Sequence, residues 1–156
     1  MRFAVVVAVS TLAFGALGCG KEIGDACIAS SDCSPNGDRQ CDLSQHEGYC
    51  TVEGCDYATC PEEAACIRFF TGQFDNRACQ SNVDCSLDEL CNLTQHCVPR
   101  NAEERYCMKT CESDDDCRDG YECRDLAKMK LHGGEPVLEP GVPIDENAPK
   151  FCAAAP

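Results

Sequence analysis

Apolar residues crowd one end of this chain and are thin elsewhere. Residues 4–17 form an almost unbroken apolar run behind a single positive charge, Arg2, and Gly18-Cys19-Gly20 follow it. A run of that length, ending in small residues, predicts a secretory signal peptide over 1–18; it is short for a bilayer span. The alternative, a buried helix, has no comparably apolar segment in the chain to pack against. Beyond residue 20 the pattern predicts few regular elements. Ser86 with Glu89 and Asn101 with Glu104 have capping-box spacing, and Pro61 stands after Cys60 where a first helical residue would, so three short helices are expected. Ile67-Arg68-Phe69-Phe70 is the strand candidate, while Asn36-Gly37 and Asp119-Gly120 mark tight turns.

Cysteine, not hydrophobic periodicity, organises the rest. Cys27 and Cys33 enclose IASSD, Cys79 and Cys85 enclose QSNVD, and Cys111 and Cys117 enclose ESDDD, always with aspartate before the second cysteine. Two of these runs continue alike. Cys41 and Cys91 each open a string of Asp or Asn, then Leu, Ser or Thr, Gln and His; each string ends at a cysteine, Cys50 or Cys97, with valine just beyond. This is an internal duplication. The third copy reaches Cys123 and then Cys152 only after a Pro/Gly-rich stretch, 133–149, which reads as an extended loop closed at its base. Between the first two copies lie Cys55, Cys60 and Cys66, for which Cys107 is the partner left over. The chain therefore divides into a signal peptide (1–18), a lipidated N-terminus and short tether (19–26), cysteine modules at 27–54 and 79–100, an intervening segment at 55–78, and a third module at 101–156. Which cysteine bonds which stays open, since four cysteines allow three connectivities.

The sequence ALGC at 16–19 resembles the lipobox of bacterial lipoproteins, with leucine two residues before the cysteine instead of the usual three. That resemblance makes Cys19 the lipidation site and the membrane a partner through its lipid. The same residues also fit the small-x-small rule for release of a soluble protein at the same bond. Of 17 cysteines, Cys19 set apart leaves an even number, enough for eight disulfides. Gly20, in place of aspartate, favours the outer membrane by analogy with lipoprotein sorting. The leader, the repeats and the strings CIRFF, ERYCMKTC and DDDCRDGYEC together resemble the cysteine-rich lipoproteins of myxobacteria and related deltaproteobacteria. The likeness covers nearly the whole chain after the leader; it implies an envelope location and names no ligand.

Without the leader the chain has 138 residues, with 12 basic and 27 acidic side chains, four Phe, four Tyr and no Trp. So few large apolar residues predict a small disulfide-rich protein, mostly loops and turns with short helices and hairpins, stabilised by crosslinks. The acidic balance argues against nucleic acid and against electrostatic docking on anionic lipid. No Cys-x-x-Cys occurs, which removes the usual zinc and thioredoxin spacings. The acidic cluster around Asp114 and Asp116 is the calcium candidate, although an EF-hand read from Asp114 fails at Arg118 and Asp119. The plainer reading of that cluster is a solvated acidic turn. His46 and His96 occupy equivalent repeat positions, His132 stands alone, and no nucleophile elbow, phosphate loop or zinc-protease motif is present. The expectation is an exported envelope lipoprotein that binds and does not catalyse, with no cofactor. A secreted protease inhibitor using loop 133–149 is the alternative, and a calcium-binding module the third reading.

Overall fold

The computed structural model describes residues 20–72 and 74–156. The signal peptide expected over 1–18 and the lipidation expected at Cys19 lie outside the described residues. Regular elements are short: α1 (Ser30–Cys33), β1 (Gln40–Asp42), β2 (Tyr49–Thr51), β3 (Ala64–Phe70), β4 (Glu89–Cys91), β5 (Cys97–Pro99), β6 (Glu103–Lys109), β7 (Tyr121–Arg124), α2 (Leu126–His132), β8 (Glu135–Pro136) and β9 (Phe151–Ala154). The protein is disulfide-rich, with eight bonds, short strands and little helix.

One connectivity repeats four times. Cys27–Cys41 with Cys33–Cys50, Cys55–Cys66 with Cys60–Cys107, Cys79–Cys91 with Cys85–Cys97, and Cys111–Cys123 with Cys117–Cys152 all join first to third and second to fourth. In each module the third and fourth cysteines face each other across an antiparallel ladder: Cys41 and Cys50, Cys66 and Cys107, Cys91 and Cys97, Cys123 and Cys152. Each of them bonds to one of the two cysteines in the preceding turn, so the ladder and the turn are fastened at two points. The residues 55–78, read from sequence as an intervening segment, thus begin a fourth copy. Its ladder is β3 paired with β6, and the whole Cys79 module is inserted between those strands.

The repeated aspartate has a local cause. Asp32 Oδ2 accepts from the N–H groups of Ile28 and Ala29 at 2.9 and 3.1 Å. Asp84 does the same with Gln80 and Ser81 at 2.8 and 3.0 Å, and Asp116 with Glu112 and Ser113 at 2.8 and 3.0 Å. Each carboxylate thereby ties off the turn that carries the first two cysteines. A second device recurs: Ser30 Oγ, Asn82 Oδ1 and Asp114 Oδ1, each three residues before the second cysteine, accept from the N–H of the third cysteine. In the Cys55 module Thr59 takes the aspartate position, and its hydroxyl accepts from Asp56 N–H at 2.8 Å.

The two backbone donors hold Asp32, Asp84 and Asp116 below the ordinary aspartate value of 3.8. Their folded pKa values lie under the unfolded ones, so this stabilisation is present above that value and is lost as pH falls through the folded pKa. The triple variant Asp32→Asn, Asp84→Asn, Asp116→Asn is accordingly expected to show a smaller drop in Tm than the parent between about pH 5 and pH 2. Parallel Tm curves for the two proteins would contradict the assignment.

The expected helices fail for reasons of pairing. Ser86 N–H does donate to Glu89 Oε2 at 2.9 Å, but only a turn forms there, because Glu89 begins β4 opposite Pro99. Pro61 opens a turn into β3. Asn101 lies in a single 3-10 turn, and from Glu103 the chain is strand β6, whose seven residues all pair with β3. A local capping pattern gives way to a ladder of tertiary hydrogen bonds. The strand expected at residues 67–70 is the second half of β3, and both Asn36-Gly37 and Asp119-Gly120 are turns.

A common core joins the modules. Ile23, Tyr49, Ile67, Met108, Tyr121, Met129 and Phe151 are all buried in one cluster, with Leu93 of the Cys79 module against its edge. The stretch after Cys19 is therefore no free tether. Ile23 is fully buried, and Gly24 N–H donates to Cys50 O at 2.9 Å. Nor is 133–149 simply an extended loop. It follows helix α2, which Asp125 caps by accepting from Lys128 N–H, and it begins as β8 on the free edge of β3. Gly134 permits that approach: its φ is +87°, and a Cβ would sit 2.5 Å from the Phe151 ring. Glu135 and Pro136 are buried, and residues 139–143 face solvent.

Candidate binding cleft

The modules meet around an open cleft of about 370 Å³. The Cys27 module supplies Asp42, Ser44, Gln45, Tyr49 and Thr51; the central ladder supplies Phe69, Thr71, Glu104, Tyr106 and Met108; the Cys111 module supplies Arg124, Ala153 and Ala154. Strand geometry explains the selection. Glu104, Tyr106 and Met108 alternate along β6, so their side chains leave the sheet on one face.

The floor is apolar and the edges carry charge. Phe69 stands against Tyr106 with ring centroids 6.3 Å apart, and against Phe151 edge to face at 6.2 Å. Tyr106 Oη donates to Glu104 Oε2 at 3.2 Å, and Thr71 Oγ1 donates to Glu104 Oε1 at 3.4 Å. Asp42 Oδ1 accepts from Ser44 N–H and Oγ–H at 2.9 and 2.6 Å. Burial, then the negative charge of Glu104, Glu53 and Asp42, pushes the Tyr106 phenol up to about 12. Arg124, at the far wall, is already engaged: Nε donates to Glu122 at 3.0 Å, and its other nitrogens reach the carbonyls of His132, Gly133 and Ala154 at 2.8–3.0 Å. Among the described residues, Asp42 and Glu104 have no cationic side chain within ion-pair distance.

The walls are fixed from behind. The buried Tyr49 hydroxyl accepts from Lys109 N–H at 3.0 Å and donates to Cys152 O at 3.3 Å, so one side chain links three modules. Gly48, just before it, has φ +68°, and a Cβ there would fall 2.0 Å from Cys27 O. Arg118 lies 4.2 Å from the Tyr121 ring centroid, and its Nη2 donates to the carbonyls of His46 and Gly48.

The other sequence candidates are placed differently. Asp116 is spent on its own turn, and Asp114 on Cys123 N–H and Lys128 Nζ at 2.8 Å each. Three sulfurs in each module do lie within 4.8 Å of one another, as a soft metal would need, but every one is in a disulfide. The histidines are dispersed. The carbonyl of His46 receives Arg118, His96 Nδ1 faces Thr94 Oγ1 at 3.4 Å, and His132 Nδ1 meets Glu122 at 2.6 Å. Asp42, Ser44 and Gln45 lie in the duplicated string, Phe69 in CIRFF, and Glu104, Tyr106 and Met108 in ERYCMKTC, but nothing in those strings marked them as one cleft.

No family model, curated protein or solved structure matches this chain. Eight disulfides suit an oxidising, extracytoplasmic setting. No helix among the described residues is long and apolar enough to cross a membrane.

Proposed function

We propose that the chain is a cell-envelope lipoprotein, anchored in the outer membrane through lipid on Cys19, whose crosslinked body is a binding module without catalysis. The observation that carries the binding part is the cleft, an apolar, carboxylate-edged hollow between modules held by paired disulfides. Pre-organised walls lose little conformational entropy when a ligand enters. The leader and the ALGC sequence support the anchor, as does the resemblance to myxobacterial cysteine-rich lipoproteins. Because Ile23 is buried in the body, a lipid on Cys19 would hold the fold directly against the bilayer surface. Intact mass of the mature protein from its native envelope tests the reading. The expected mass is that of residues 19–156 with lipid on Cys19, less the sixteen hydrogens of eight disulfides. A soluble product with Cys19 unmodified would reject the anchor.

A further inference from the structure

The Cys27 and Cys79 modules are copies, and the difference between them at one position is informative. Asn92 Oδ1 accepts from Thr94 Oγ1 and His96 N–H, both at 2.9 Å, and so holds its hairpin turn with a neutral amide. Asp42 occupies the same position and holds the same kind of turn through Ser44. The turn therefore does not require a charge. At Asp42 the charge is surplus to the fold, and it stands in the cleft wall with Glu104; among the described residues neither has a cationic side chain within ion-pair distance. Carboxylates flanking aromatic rings, with the lining guanidinium of Arg124 already paired with Glu122, make a site that attracts positive charge and offers π-faces to receive it.

We propose that this cleft binds an alkylammonium group, its methylenes lying along Phe69, Tyr106 and Met108 and its charge compensated by Asp42 and Glu104. The inference rests on the binding-module reading and deepens it. A volume of about 370 Å³ is small for a ligand site, and it suits one amine-bearing chain of lysine length better than a large molecule. The same chemistry comes from a free amine or from a lysine side chain on a peptide, and the experiment separates the two.

The test is an NMR titration of the purified, oxidised protein with n-butylammonium, with the blocked tripeptide acetyl-Gly-Lys-Gly-amide, and with n-butanol as the uncharged control. Saturable shifts of the Met108 methyl and Tyr106 ring are expected with a cation, at a Kd on the order of 1 mM. Butylammonium alone binding assigns a free amine, and a clear preference for the tripeptide assigns a lysine side chain; both support the proposal. Asp42→Asn keeps the single oxygen that accepts from Ser44, and Glu104→Gln keeps one of its two acceptors and offers an amide N–H to the other hydroxyl, so the fold is expected to persist, and together they should weaken binding about tenfold or more. Butanol binding as well as the amine, or no saturable shift with either cation, overturns the proposal. So would undiminished binding in the double variant. Lipid on Cys19 does not enter this titration: a negative result leaves the envelope anchor standing, and an unlipidated mature protein leaves the cleft chemistry standing.

Discussion

Replacing Cys60 and Cys107 together by alanine is expected to cost about 4 kcal/mol of stability, the largest loss from any one disulfide. The bond spans 47 residues, against 12 for Cys79–Cys91, and the entropy removed from the unfolded chain grows with the logarithm of the loop. The same double replacement at Cys79 and Cys91 is expected to cost about 3 kcal/mol. Position adds to length. Cys107 is fully buried in the middle of β6, and its bond is the covalent closure around the inserted Cys79 module. Denaturant unfolding of the two variants without reductant checks the ranking. A greater loss from the shorter loop would show that loop entropy is not what distinguishes them.

Glu135→Ala is the second large effect, about 3 kcal/mol. Glu135 is a carboxylate with only 6 % of its side chain exposed, and its Oε2 accepts from Arg68 Nε and Nη2 at 3.0 and 2.8 Å. Its other oxygen accepts from Leu93 N–H, which belongs to the Cys79 module. One side chain thus docks β8 on β3 and fastens the inserted module to both. Removing it leaves a half-buried guanidinium without its partner and frees the Leu93 turn, whose amide should then exchange with solvent faster. Arg68 keeps 23 % of its side chain exposed, which places the cost at the low end for a broken buried pair. The double variant Arg68→Ala, Glu135→Ala should cost less than the sum of the singles, because it strands no charge. Strict additivity would rule the coupling out.

What the sequence revealed follows from how local each cause is. The aspartate before each second cysteine was visible as a repeat because its partners are the N–H groups three and four residues back. Cys55, Cys60, Cys66 and Cys107 fall together as the cysteines left over, but that they form a fourth copy was hidden on three counts. Threonine replaces the aspartate, four residues instead of five separate its first two cysteines, and an entire module intervenes before Cys107. Helix α2 did leave a signal, Asp125 at its start and Gly133 at its end, immediately before the Pro/Gly-rich stretch. The cleft's residues stand in the quoted strings, but their meeting left no signal. Asp42, Glu104 and Ala153 are distant in sequence, and only the shared core brings their strands together. Strand β6 shows the same limit from the other side, since nothing near Asn101 announces that β3 is its partner.

The first-to-third, second-to-fourth pairing also decides what a protease could do to this molecule. Between Cys27 and Cys152 every peptide bond lies inside at least one disulfide loop, apart from two links, 50–55 and 107–111. A single cut inside a loop nicks the chain without releasing a piece. A single cut separates modules only in one of these links, which run beside each other, with Glu53 and Gly54 of the first exposed to solvent. Thr51 Oγ1 donates to Cys107 O at 2.8 Å, Cys107 N–H to Val52 O at 2.9 Å, and Thr51 and Met108 are buried. The covalent frame is thus open to a dividing cut at the exposed Glu53–Gly54 bond, whereas one nick inside any disulfide loop leaves every module attached.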